Sequence, residues 1–140
     1  MDALIYTHDN QEYVTLRRIL QEEAGLIDVW RAKPEGFGTV PMNYEYDIII
    51  VGIEYEKAIA EVSYWAGAFD EKIRIIWISG DKSHVKDAFR YHCWDFFERP
   101  YDLKLIRKSI RDVISKCTKR NVWLFGGGDG SELEKKWQKY

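Results

Sequence analysis

Tyr46-Asp47-Ile48-Ile49-Ile50-Val51-Gly52 decides the fold. Four β-branched residues follow one another without a polar break, the pattern of a strand buried on both faces. Strands of this kind run inside parallel sheets covered by helices. In open sheets of that class, ligands gather beyond the carboxyl ends of the strands. Gly52 therefore faces the expected working crevice, and it brings no side chain there.

Upstream, Ala3 to Tyr6 reads as a short strand and Thr7-His8-Asp9-Asn10 as the polar turn after it. Asp9 followed by Glu12 has the form of a capping box, so a helix is expected to begin here. Tyr13, Leu16, Ile19, Leu20 and Ala24 recur at helical spacing, Gly25 is a natural stop, and Leu26 to Trp30 reads as a second strand. Residues 31–43 contain Pro34, Gly36, Gly38 and Pro41, and predict a loop or a short broken helix where a βα repeat wants a full one.

Downstream, Glu54 to Gly67 predicts a helix and Arg74 to Ile78 a buried strand closed by Ser79-Gly80. Asp81 is expected to cap a helix over Lys82 to His92, with Val85, Ala88 and Phe89 inward. Trp94 to Phe97 predicts a short strand ended by Arg99-Pro100. Asp102 is expected to cap a last helix whose buried stripe is Leu103, Ile106, Ile110, Val113, Ile114 and Cys117. Five strands alternating with helices imply parallel βαβ units with right-handed crossovers. Beyond Cys117 the pattern changes. Val122 to Phe125 is a brief apolar run, Gly126 to Gly130 a break, and Ser131 to Tyr140 a short helix candidate. The expected division is a domain over 1–118 and an extension or linker over 119–140. The glycine run lacks the Lys-Ser or Lys-Thr of a phosphate loop.

The chain has 140 residues, 46% hydrophobic and 31% charged, a globular composition with one sizeable core. No stretch reaches the ~18–20 apolar residues of a membrane span, and the N-terminus lacks a signal-peptide pattern. A cytoplasmic location is the expectation, with Cys93 and Cys117 as reduced, half-buried thiols. Residues 1–70 hold 13 acids and 5 bases, a net −8, whereas residues 71–140 hold 10 acids and 16 bases, a net +6. Two solvated faces of opposite sign account for that split; so does a basic surface that meets an acidic partner.

Two stretches carry a family resemblance. Asp95-Phe96-Phe97-Glu98-Arg99-Pro100, with the helix end before it, resembles the fifth-strand signature of CheY-like receiver domains, closest to the LytTR-type subgroup. Asp47 to Gly52 resembles the receiver's third strand, which in the family ends in the phosphate-accepting Asp. The resemblance spans about residues 3–117 and implies a flavodoxin-like, doubly wound sheet of five parallel strands in the order 2-1-3-4-5. It also implies a damaged phosphorylation site. The phosphoacceptor falls on Gly52, and the Mg²⁺-holding acidic pair falls on Thr7-His8 or His8-Asp9, leaving Asp9 as the surviving carboxylate. Ser79 matches the family's Thr/Ser, Phe96 the switch aromatic, and Arg99 replaces the phosphate-pairing Lys. The Arg99–Pro100 bond is a cis candidate by the same resemblance.

Phosphoryl transfer to a receiver needs a carboxylate nucleophile and a divalent cation. With Gly52 in place of the first, the expectation is a pseudo-receiver that is not an enzyme, binds no cofactor or metal, and signals through protein contact. Arg99 has two readings: a lock paired with Asp9, or an anion site shared with Ser79 and nearby N–H groups. His8, at a strand end, reads as a turn residue rather than a ligand. The cations Lys104, Arg107, Lys108, Arg111 and Lys116 read as a solvated face or, by the resemblance, as part of the docking and dimerisation face of helix 4, strand 5 and helix 5. Direct nucleic-acid binding is not expected at a pI near 5.9 without a recognition motif. A role in transcription regulation belongs, on this reading, to a longer parent protein. The alternative is a module switched by a small ligand or anion in the altered pocket.

Overall fold

The computed structural model describes residues 1–32, 46–68 and 74–125. Strands β1 (Asp2–Thr7), β2 (Asp28–Ala32), β3 (Ile48–Gly52), β4 (Arg74–Ser79) and β5 (Asp95–Glu98) pair in parallel in the order β2-β1-β3-β4-β5. Helices α1 (Asn10–Ala24), α2 (Tyr55–Ala68), α3 (Val85–Arg90) and α4 (Leu103–Phe125) cover the two faces. This is the doubly wound, flavodoxin-like sheet that the sequence implies.

The central strand shows why. Ile48 and Ile50 join the core under α1 and α4, while Ile49 and Val51 join the core under α2, and all four are fully buried. Strand side chains alternate between faces, so only a strand with helices on both sides can bury such a run. Each of these side chains is worth roughly 1.5–3 kcal/mol of burial, enough to fix the register. That register sets Thr7 beside Gly52 and Ser79 beside Glu98 at the carboxyl edge.

Several boundaries differ from the sequence reading. β2 starts two residues later, and Leu26 is 92% exposed. The segment after Asp81 is a single 3-10 turn, Lys82–His84, followed by the short α3. A Schellman closure ends α3: His92 takes φ 56°, and the Cys93 and His92 N–H groups donate to Ala88 and Phe89 O at 2.9 and 3.2 Å. Only Ala88 of the three residues expected inward is buried. Phe89 is 85% exposed and Val85 is exposed as well, because six helical residues present one narrow stripe to the sheet edge. Leu103 is likewise exposed, and the buried stripe of α4 begins at Ile106. The apolar run Val122 to Phe125 continues α4 as helix. Most of the expected loop over 31–43, and the glycine break with the helix candidate after it, lie outside the described residues. Neither cysteine is in a disulfide; Cys93 is half-buried as expected and burial pushes its thiol up to about 12, whereas Cys117 is fully in the core.

The basic stripe of α4 is largely spent inside the molecule. Arg107 donates to Glu22 and Glu23 of α1 at 2.8 and 3.0 Å, and Arg111 grips Glu23 through two bonds at 3.0 and 3.1 Å. Lys116 sits 4.6 Å above the Trp94 ring. α1 and α4 lie side by side on one sheet face, which sequence alone does not reveal. Hydrogen bonds from Arg111 and Arg107 hold the Glu23 carboxyl down at about 2. A depressed carboxyl contributes stability above the ordinary glutamate range and loses it as pH falls toward 2. We predict that Glu23→Gln lowers the melting midpoint at pH 7 but not near pH 2. The difference should shrink in about 1 M salt, because Arg111 is mostly exposed and such pairs are screened. A pH-independent loss would reject the clasp.

Candidate functional site

Parallel strands bring their carboxyl ends to one edge, and that edge carries a cleft of about 460 Å³ lined by Thr7, His8, Asp9, Gly52, Ser79 and Arg99, among others. The pocket residues marked by the sequence thus converge. What each one does there was not legible in the sequence.

Glu12, from the first turn of α1, fills the space beside Gly52. Arg99 grips its carboxylate with Nη2–Oε1 at 2.7 Å and Nε–Oε2 at 3.1 Å, a bidentate fork. Tyr101 Oη donates to Oε2 at 2.8 Å and Thr7 Oγ1 to Oε1 at 2.8 Å. Arg99 Nη2 also donates to Gly52 O at 2.7 Å. The Glu12 side chain is only 8% exposed. Burial pushes its carboxyl up, but the bonds from Arg99, Tyr101 and Thr7 outweigh that and hold it below the ordinary range. The same pairing raises Arg99, and burial with donation to Glu12 raises Tyr101.

A Cβ on residue 52 would lie 2.9 Å from Arg99 Nη2, 3.0 Å from Glu12 Oε1 and 3.3 Å from Tyr6 O. Gly52 is therefore the residue the ion pair can close over. Arg99 reaches this point because its N–H donates to Ser79 O at 2.8 Å, extending the β4–β5 pairing by one residue, and a cis Arg99–Pro100 bond follows.

The expected partner of Arg99, Asp9, is engaged elsewhere. Its side chain caps α1 by accepting from the Glu12 N–H at 3.0 Å. Glu12 does not return the bond, so the capping box is half made; the Asp9 N–H donates to Thr7 Oγ1 at 3.1 Å instead. In the sequence Glu12 is a local helix signal, and nothing in the local pattern marks the residue 87 positions away that claims it.

The Ser79 hydroxyl is engaged within its own turn. Ser79 Oγ lies 2.8 Å from His84 Nδ1 and accepts from the Asp81 N–H at 3.1 Å. His84 stacks on Tyr55 at 4.0 Å between ring centres, and Phe96 packs edge-on to Trp77 at 6.3 Å. His8 pairs with Glu54 at 2.7 Å, which gives it a specific partner across the cleft mouth.

The divalent cation that this fold holds in signalling proteins does not fit these residues. Asp9 is committed to the cap, Glu12 to Arg99, and a guanidinium already occupies the Gly52 carbonyl. Among the described residues no group of three His, Cys, Asp or Glu side chains is placed to hold a metal.

The strand order, the helices on both faces and the carboxyl-edge cleft define the fold of a CheY-like receiver domain. Solved structures agree. The signal receiver domain of a DNA-binding response regulator from Colwellia psychrerythraea 34H superposes with TM-score 0.69 at 15% identity, covering 82% of this chain and 98% of that one. A signal receiver domain of a histidine kinase from Clostridium thermocellum gives 0.68 at 16%, covering 81% and 96%. The response regulatory domain of mrkE from Klebsiella pneumoniae gives 0.65 at 16%, covering 82% and 96%. Neither a protein-family model nor a curated protein matches the chain.

Proposed function

We propose that the chain is a receiver-fold signalling module that works by protein contact without aspartyl phosphorylation or other catalysis. The observation that carries this reading is the Glu12–Arg99 pair closed over Gly52, which fills from within the chain the space beside the strand end. No nucleophile stands at position 52, and the Arg99 guanidinium is bonded to the Gly52 carbonyl.

The partner is read from the edge formed by α3, β5 and the start of α4. Phe89, Val85 and Leu105 are exposed there. Lys86, Arg90, Lys104 and Lys108 are exposed on the same elements, and none makes an ion pair among the described residues. Glu98 and Asp102 are exposed beside them, so the edge carries both signs around its apolar residues and suits a protein partner or a second copy of the chain. The setting is cytoplasmic on this reading; no described helix is long and apolar enough to cross a membrane.

We predict that acetyl phosphate or beryllofluoride with Mg²⁺ leaves the intact mass and the amide resonances of Gly52, Ser79 and Phe96 unchanged. A stoichiometric mass gain, or large shifts at Ser79 and Phe96, would overturn the proposal.

A further inference from the structure

The donors around the Glu12 carboxylate come from outside the helix that carries it. Thr7 ends β1, and Arg99 and Tyr101 follow β5. Their arrangement is a two-oxygen cradle: a guanidinium fork at 2.7 and 3.1 Å, with one hydroxyl at 2.8 Å on each oxygen. Any carboxylate would fill it in the same way. Thr7, Gly52 and Arg99 also line the cleft, so the cradle borders it, with Arg99 partly exposed.

Glu12 has a second seat within reach. It stands three residues after the N-cap Asp9, the position from which a Glu side chain bonds back to the N-cap N–H. That N–H is held by Thr7 Oγ1, the same hydroxyl that donates to Glu12. If Glu12 swings to the Asp9 N–H, the Thr7 hydroxyl is freed for an incoming group.

We propose that the Arg99–Tyr101–Thr7 cradle is a carboxylate-binding site whose tethered occupant, Glu12, exchanges with a carboxylate from outside while Glu12 moves to the capping-box seat. The ligand is a monoanion. The cradle offers one positive charge, and Asp9 and Glu54 stand on the cleft rim, so a phosphate dianion is repelled. Exchange re-aims the Arg99 bond to the Gly52 carbonyl and so registers at the end of the central strand. The inference rests on the reading above that no phosphoryl group enters this cleft.

The test uses sodium acetate, with sodium chloride at matched ionic strength, on the wild type, Glu12→Ala and Glu12→Ala/Arg99→Gln. Acetate, but not chloride or phosphate, is expected to raise the melting midpoint of Glu12→Ala progressively and to shift its Gly52 amide. The double variant is expected not to respond. The wild type is expected to show the same Gly52 shift at no less than about tenfold higher acetate, because a tethered side chain competes at an effective concentration of millimolar or more. Should Glu12→Ala fail to fold, Glu12→Ser, which also vacates the cradle, takes its place. A vacated cradle blind to acetate, or a wild-type Gly52 amide that never moves, overturns the proposal and leaves Glu12 a structural ion pair. A blocked pentapeptide centred on Asp separates the sources. Binding about tenfold or more tighter than acetate assigns a partner's acidic side chain, and equal or weaker binding assigns a small acid. Covalent mass gain from acetyl phosphate is read separately, so the failure of either idea is visible without the other.

Discussion

Gly52→Asp, the substitution that restores a carboxylate at the strand end, is predicted to destabilise the fold by about 2–4 kcal/mol and to leave it unphosphorylated. The new Cβ would press on Arg99 Nη2 at 2.9 Å and Glu12 Oε1 at 3.0 Å. Both atoms end side chains, but each is pinned by several hydrogen bonds, and the third neighbour, Tyr6 O at 3.3 Å, is backbone. A second carboxylate would also share one guanidinium with Glu12, and two acids at one cation cannot both ionise freely. Adding Glu12→Ala should remove both conflicts. The double variant is expected to be more stable than Gly52→Asp alone, with a coupling of about 1–3 kcal/mol in a urea-unfolding cycle. Wild-type stability in the single variant, or simple additivity in the double, would reject the plug.

The second large effect is expected at Glu12 itself. Glu12→Gln keeps the shape but turns one accepting oxygen into an NH₂ donor and leaves Arg99 facing a neutral amide. Breaking a buried pair costs roughly 3–5 kcal/mol. The Arg99 side chain is 35% exposed, so solvent recovers part of that, and about 2–3 kcal/mol is the expected loss at pH 7. The pH dependence gives the sign. The folded Glu12 carboxyl sits below its unfolded value, so its contribution is full above the ordinary glutamate range and disappears as pH falls through the lowered folded value. Urea titrations across the acid range should show the wild type and Glu12→Gln converging at the low end. Parallel curves with a constant gap would mean that charge on Glu12 is not what stabilises the site.

Residue patterns decided the sheet. An uninterrupted β-branched run such as Ile48 to Val51 has one stable setting, with helices on both sides, and punctuation such as Gly25 and Asp102 is local chemistry. The place of Gly52 at the crevice was equally legible, because parallel strands end in the crevice and Gly52 ends the central one; the strand order came from the family resemblance. Boundaries slipped where helices were short, as at Phe89, whose burial depends on how much of six residues a sheet edge can cover.

The occupant of the vacancy was not legible. A motif reader sees Asp9 and Glu12 three apart and assigns both to a helix start. Tertiary structure divides them: Asp9 keeps the cap, while Glu12 turns inward to Arg99 and Tyr101. The choice depends on a guanidinium brought in by the end of β5, where a buried charge must find its opposite. It is the same for Arg107 and Arg111, which read as a free basic stripe until α4 lies against α1. Sequence by itself determined the sheet and set Gly52 at its carboxyl edge, because both follow from short-range periodicity. Only the folded chain decided which charges meet, because ion pairs form between residues that are neighbours in space and distant along the backbone.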